Sequence, residues 1–243
     1  MENRVLMQPV YVLHKQAFQN TSLLVDFFSM DHGRIKAVAR GARREKSRYR
    51  SLLQSFHPLL ASFSGRGEMK TITAVESSVS AISLTGERLF SGLYLNELLV
   101  RLLQGHGEHR ELFNRYQDTL LALQNEQDIN TVLRRFELTL LDELGYGINL
   151  EQDYLRQEPI DPDSIYLFIP DLGFEAIPGR RISEPRVNEF LGRHIIDLQC
   201  LSFTDDNSRK AARRLMRMAL QAHLGGRPLN SRSLFVRRTG SAG

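Results

Sequence analysis

Apolar and polar positions alternate with a period of two along the first 80 residues, in short runs separated by turn signals. This is the pattern of a small all-β barrel or sandwich. Five runs stand out: PVYVLHK, SLLVDFFS, GRIKAVARG, LLQSFHPLLASFS and MKTITAVES. They are rich in Val, Ile, Phe and Thr, residues that fit a pleated and half-buried surface. Met30-Asp31-His32-Gly33 supplies a tight turn between the second and third runs, and Gly65-Arg66-Gly67 another between the fourth and fifth. Five short strands predict an OB-type barrel, closed so that no edge is left exposed. A five-stranded SH3-like barrel has the same periodicity and stands as the alternative.

From about Leu84 the period lengthens to between three and four. Leu95, Leu98, Leu99, Leu102 and Leu103 follow the spacing of a buried helical face. HRELFNRYQDTLLALQ reads as a second helix. NTVLRRFELTLLDELGYG reads as a third, with Leu133, Phe136, Leu140 and Leu144 on one face and Gly145 and Gly147 ending it. Four prolines interrupt residues 150–183, where SIYLFIPDLGFEAI predicts two short strands around a turn. Helices are expected to resume near Glu184 and again after Asp205-Asp206, a pair suited to a helix N-terminus. The last helix, NSRKAARRLMRMALQAHLGG, ends at Gly225. The expected fold class is therefore α+β. Residues 1–80 are expected to form an OB-fold domain, 81–237 an α-helical domain with a small β-like insert at 150–183, and 238–243 a flexible tail.

Composition changes this picture little. Of 243 residues, 42% are hydrophobic and 25% charged, ordinary values for a globular chain. No apolar run approaches the roughly 18 residues of a membrane span, so no membrane partner is expected. The N-terminus lacks the cationic head, apolar stretch and cleavage site of a secretory signal. Cys200 is the one cysteine, which excludes an internal disulfide and a cysteine-built zinc site and fits a reducing compartment. A cytoplasmic protein is expected. In LQCLSF, Cys200 reads as a core residue rather than a nucleophile.

Charge changes the picture more. Residues 1–80 hold 12 Lys/Arg and 6 Asp/Glu, residues 81–206 hold 11 and 22, and residues 207–243 hold 9 and none. Two basic ends flank an acidic middle, an arrangement that gives local positive fields able to attract phosphate backbones. In GRIKAVARG, Arg34, Lys36, Val38 and Arg40 fall on one face of a strand and Ile35, Ala37 and Ala39 on the other. The strand runs into a segment carrying Arg43, Arg44, Lys46, Arg48 and Arg50, with Glu45 the only acid and Tyr49 offering a plane for base stacking. Cations that track a backbone and rings that take bases are how such barrels hold single strands. The plain alternatives are a solvated loop or a localisation signal.

In the last helix Ala212, Leu215, Met216, Ala219 and Leu220 make an apolar stripe. Arg209, Arg213 and Arg217 recur at i+4 beside it, with Lys210 and Arg214. Like charges at that spacing repel, so they call for an anionic neighbour, either DNA or the acidic middle of the chain. Signatures of P-loop ATPases, serine hydrolases and zinc proteases are absent. His106, Glu108 and His109 read as a Gly-rich connection rather than a metal site. Asp142-Glu143 and Asp205-Asp206 read as solvated or capping pairs rather than a metal-dependent nuclease centre. No enzyme activity is expected. An RNA-binding OB-fold protein would show the same charge pattern and is the alternative function.

The ordered set GRIKAVARGARR, GRGE, LFSGLYLNELL, LRRFELTLLDELGYG and LGGRPLNSRSLF resembles the bacterial RecO recombination-mediator family over nearly the whole chain. The resemblance implies a DNA-repair protein of the RecF pathway that binds single- and double-stranded DNA and anneals complementary strands. With RecR, it would help load RecA onto DNA coated by single-stranded-DNA-binding protein, without any nucleotide or other cofactor. The cations at Arg34, Lys36, Arg40, Arg43, Arg44, Lys46, Arg48, Arg50, Arg209, Lys210, Arg213 and Arg217 would meet DNA. The family's helical domain also receives the acidic, Phe-ending tail of the coating protein, which needs an apolar pocket beside a cation; Arg134, Arg135 and Leu144 are the residues carried over. Some members hold a four-cysteine zinc in the insert. Residues 150–183 contain no cysteine, so no zinc is expected, and packing of Tyr166, Phe168 and Phe174 would take its place.

Overall fold

The structure is a computed structural model that describes residues 4–77, 79–103, 107–179 and 186–231. His106, the end of the expected insert at 180–183 and the expected tail at 238–243 lie outside the described residues. The chain forms two compact units, one reaching to Gln127 and taking up the chain again from Leu229, the other Asp128–Pro228. The first unit thus includes two helices beyond the expected boundary at residue 80.

In the first unit five strands, β1 (Arg4–Phe18), β2 (Ser22–Ser29), β3 (Gly33–Ala39), β4 (Leu59–Ser64) and β5 (Met69–Ser77), close in the order β1-β2-β3-β5-β4. All pairs are antiparallel except β3 with β5, where Lys36 faces Met69 and Val38 faces Thr71. This order, with a short helix α1 (Tyr49–Leu52) between β3 and β4, is that of an OB barrel. Alternate residues fill its interior: Val10 and Val12, Val25 and Phe27, Ile35 and Ala37, with Phe63 and Ile72 from the other side. The expected fourth strand is shorter than its apolar run. Leu53 and Phe56 are buried at a spacing of three, which a strand cannot point to one side, and Phe56 takes a positive φ; apart from an isolated bridge between Ser55 and Val12, pairing starts only after Pro58.

The strand β1 is longer than expected because it serves two partners, β4 through its first half and β2 through its second. A bulge between Val12 and His14 makes the change of direction. Asn96 of helix α2 (Gly86–Leu102) occupies that break, donating to the Leu13 carbonyl at 3.1 Å and, more weakly, to that of Val12 at 3.4 Å. Tyr116 of helix α3 (Arg110–Gln124) donates its hydroxyl to Asn96 Oδ1. Tyr11 and Phe28, on the outer face of the barrel, meet Phe113 and Tyr116 at ring separations of 5.1–6.0 Å. The two helices thus complete the barrel unit by covering an apolar patch and satisfying carbonyls that the ladder leaves open.

The second unit contains α4 (Ile129–Glu143), a sheet of order β7-β6-β8 built from β6 (Ile165–Ile169), β7 (Gly173–Ala176) and β8 (Glu189–Leu191), and helices α5 (Gly192–Gln199) and α6 (Asp206–His223). The third strand stands where a helix was expected to resume, so α5 starts only at Gly192. No side chain fits there: a Cβ on Gly192 would lie 1.9 Å from the Asp161 carbonyl oxygen. Phe168 and Phe174 pack together as expected, joined by Phe190 of the new strand, while the buried Tyr166 accepts a hydrogen bond from the Asp161 amide. Asp128 caps α4 by accepting from Thr131, and Asp205 caps α6 by accepting from Ser208. Cys200, expected in the core, is exposed: the helical period turns Ile195 and Leu198 inward and leaves Cys200 past the end of α5.

Candidate nucleic-acid interface

The cationic segment after β3 is held at its ends and open in its middle. Gly41 turns the chain at φ +68°, a conformation glycine adopts without strain. Ala42 is buried under the barrel, and the Arg43 amide donates to the Thr21 carbonyl in the β1–β2 turn at 2.9 Å. From there Arg44, Ser47 and Arg50 donate backwards to Gly41, Arg44 and Ser47 in successive turns. Leu53 then re-enters the core. This winding leaves Arg43, Arg44, Lys46, Arg48 and Arg50 exposed, with Lys36 and Arg40 exposed on β3 before them. Arg48 lies over the Tyr49 ring, 5.6 Å from its centroid.

Arg34 is placed differently. It sits on the expected face of β3 but is only 23% exposed in its side chain, and both Nε and Nη2 donate to the buried Asp26 at 3.0 and 2.8 Å. Its Nη1 donates to the Val100 carbonyl at 2.7 Å. Arg34 neutralises a buried carboxylate and ties β3 to α2, so each of its three nitrogens is engaged within the fold. Conversely, the sequence reading passed over Lys15. Its ammonium donates to the Leu53 carbonyl and Gln54 Oε1 at 2.7 and 2.9 Å, and partial burial holds its pKa below the usual lysine range. The β1 bulge changes the strand's parity just before it, so no alternation pattern pointed to Lys15.

In the second unit the apolar stripe of α6, Ala212, Leu215, Met216, Ala219 and Leu220, is buried. Arg209 lies 3.8 Å from Asp206. Asp128 loses charge stability to burial, but its bonds from Thr131 and the nearby Arg209 charge outweigh that and hold its pKa below the ordinary value. Arg214 donates to the Glu189 carbonyl at 2.6 Å and stacks 4.5 Å over Phe190, so it belongs to the packing. Lys210, Arg213 and Arg217 are exposed along one stripe of the helix. The acidic middle of the chain therefore engages Arg209 but, among the described residues, forms no ion pair with these three.

The residues carried over for tail docking part company. Arg135 is exposed. Arg134, expected to meet the tail, is 6% exposed and makes a two-bond pair with the fully buried Glu137, at 2.6 and 2.5 Å. Leu144 is half-buried at the end of α4. A cleft of about 390 Å³ follows it, walled by Tyr146, Phe168, Leu172 and His223; there His223 stacks on Tyr146 at 3.7 Å and lies 3.4 Å from Asp171.

Phe168 and Phe174 pack together within the insert, and no group of three or more His, Cys, Asp or Glu able to hold a metal exists among the described residues. No helix among them is long and apolar enough to cross a membrane.

Comparison with known proteins agrees with an OB barrel followed by a helical region. Residues 3–80 match the family model described as Recombination protein O N terminal, and residues 83–233 the one described as Recombination protein O C terminal. A DNA repair protein RecO from Coxiella burnetii (strain RSA 331 / Henzerling II) is 43% identical over 235 residues, covering 97% of this chain and 100% of that protein. Proteins of the same name from Pseudomonas paraeruginosa (strain DSM 24068 / PA7) and Cellvibrio japonicus (strain Ueda107) are 42% and 41% identical, covering 95% and 96% of this chain and 95% and 98% of theirs. With both regions matched in order and the likeness running nearly end to end, the chain belongs to the RecO family.

Proposed function

We propose that this chain acts in DNA repair and recombination as a mediator without chemistry of its own. It binds single- and double-stranded DNA and pairs complementary strands. With RecR, it assists RecA onto DNA covered by single-stranded-DNA-binding protein. The observation that carries this reading is the barrel's exposed run of Lys36, Arg40, Arg43, Arg44, Lys46, Arg48 and Arg50, none of them paired to a carboxylate among the described residues. Such a surface binds a polyanion through release of its counterions. Pairing two strands requires only that phosphate repulsion be neutralised while both are held, so no catalytic group is needed. The stripe Lys210, Arg213 and Arg217 offers a second cationic surface. The acidic tail of the coating protein would meet Arg135 and Leu144, since Arg134 is committed to Glu137.

The test is the pairing rate of two complementary labelled strands, each coated with single-stranded-DNA-binding protein, without ATP or metal. Acceleration that disappears when the coating protein lacks its acidic tail is the expected result. No acceleration, or tighter binding to RNA than to DNA of matched sequence, would overturn the reading.

A further inference from the structure

A cleft of about 400 Å³ opens on the barrel unit between the end of β1, the segment after β3 and α1. It is lined by Lys15, Leu23, Arg43, Tyr49, Arg50 and Leu53, with Ala42 and Gln54 completing the wall. Its size falls within the range of small-ligand pockets, roughly 300–1,000 Å³. Three features of its lining point to one kind of occupant. It has three cations and no carboxylate. Two of those cations spend donors on neutral oxygens only: Lys15 on Leu53 and Gln54, and Arg43 on the Gln19 carbonyl at 3.3 Å. Its apolar wall is one aromatic ring, Tyr49, with Leu23, Leu53 and Ala42; Tyr49 and Leu23 are partly buried and pack against the barrel core.

A partly desolvated ammonium without a counter-ion is unfavourable until an anion arrives. An aromatic plane beside it suits a flat heterocycle. One nucleotide combines the two.

We propose that this cleft seats a single unpaired nucleotide of a DNA strand, its base against Tyr49 and Leu23 and its phosphate against Lys15, Arg43 and Arg50. The site rests on the DNA-binding reading of the barrel and specifies where on it a base is read out of the stack. It takes Arg43, Tyr49 and Arg50 from the cationic segment and adds Lys15 and Leu23 from the barrel strands; the segment's other cations, Arg44, Lys46 and Arg48, face solvent and track phosphates only. Sequence tolerance follows, because every base has a face to stack.

The experiment compares binding of the full chain, by fluorescence anisotropy across a salt series, to a short oligothymidylate and to an abasic strand of equal length and charge. Wild-type protein is expected to prefer the strand with bases by about fivefold or more, the lower end of one base–aromatic stack. Tyr49→Leu, which keeps apolar burial, removes that preference; Tyr49→Phe keeps it. Lys15→Gln weakens binding to both strands and lowers the salt slope by about 0.7, leaving the preference intact. Equal affinity of the wild type for both strands, with a steep salt slope, would refute the nucleotide seat and leave DNA binding standing. A preference that survives Tyr49→Leu would place the base elsewhere and also refute it. Absence of salt-dependent binding to either strand would instead overturn the reading of the barrel as a DNA-binding surface.

Discussion

Arg134 and Arg135 are adjacent and chemically identical, yet one is 6% exposed and the other lies in solvent. A helix places neighbours about 100° apart, so one falls on the packed face while its twin falls off it. Glu137, three residues on, is the partner that makes burial of Arg134 tolerable. Removing one member of a buried pair leaves the other charge uncompensated, at a cost of about 3–5 kcal/mol. Arg134→Ala should therefore shift the urea midpoint by a destabilisation of that order, whereas Arg135→Ala should leave it within about 0.5 kcal/mol. If Arg134→Ala folds with wild-type stability and loses only tail binding, the structural role assigned to it is wrong. Arg34 carries the same lesson. Alternation along GRIKAVARG finds its face, and only the buried Asp26 and the Val100 carbonyl of α2 decide that its guanidinium is held against the fold instead of reaching solvent.

Elements are joined by polar contacts that no local pattern announces. Glu97 of α2 accepts from the amides of Asn230 and Ser231, both at 2.8 Å, and from the Ser231 hydroxyl at 2.7 Å. It fixes the chain where it returns to the barrel unit, more than a hundred residues after leaving it. Burial pushes the Glu97 carboxyl up, but these three bonds and the charge of Arg101 outweigh it and hold the pKa below the ordinary 4.5. The folded-state pKa is depressed, so the stabilisation is present above the unfolded value and fades as pH falls through 4.5 and below. Glu97→Gln should cost about 1.5–3 kcal/mol near neutral pH. The gap to wild type should narrow in chemical denaturation at acid pH; a constant gap would mean that the carboxylate charge is not what holds the segment. Asn96, one residue earlier, joins α2 to the β1 bulge in the opposite sense, donating to its carbonyls.

At the scale of the whole molecule, each compact unit carries its own cationic surface, the β3-to-α1 segment in one and the Lys210, Arg213 and Arg217 stripe in the other. Holding two strands asks for two such surfaces; holding one strand asks for one. Replacing Arg40, Arg43 and Arg44 by Ala should weaken binding to all single strands and flatten the salt slope by up to about 0.7 per lost phosphate contact. Replacing Lys210, Arg213 and Arg217 by Ala should spare most single-strand binding and depress annealing. Annealing that persists at the wild-type rate in the second variant would show that the barrel surface alone does the work.

The sequence by itself determined what depends on near neighbours. The period-two runs set β2 and β5 to the residue, the longer period set α2, α3, α4 and α6, and Asp205 marks the start of α6 through its own side chain. The density of cations after β3 is likewise a property of the chain. The tertiary structure decided what depends on distant partners. Strand order separated one five-stranded barrel from another, because β3–β5 pairing joins residues far apart in sequence. A strand at Glu189–Leu191, too short for periodicity to register, is made by its edge position on β6. Which cations are spent on the fold and which face outward followed from carboxylates and carbonyls brought in from elsewhere: Asp26 for Arg34, Glu137 for Arg134, the Leu53 carbonyl for Lys15. A charge is written in the sequence, but its counter-charge is assigned only when the chain folds.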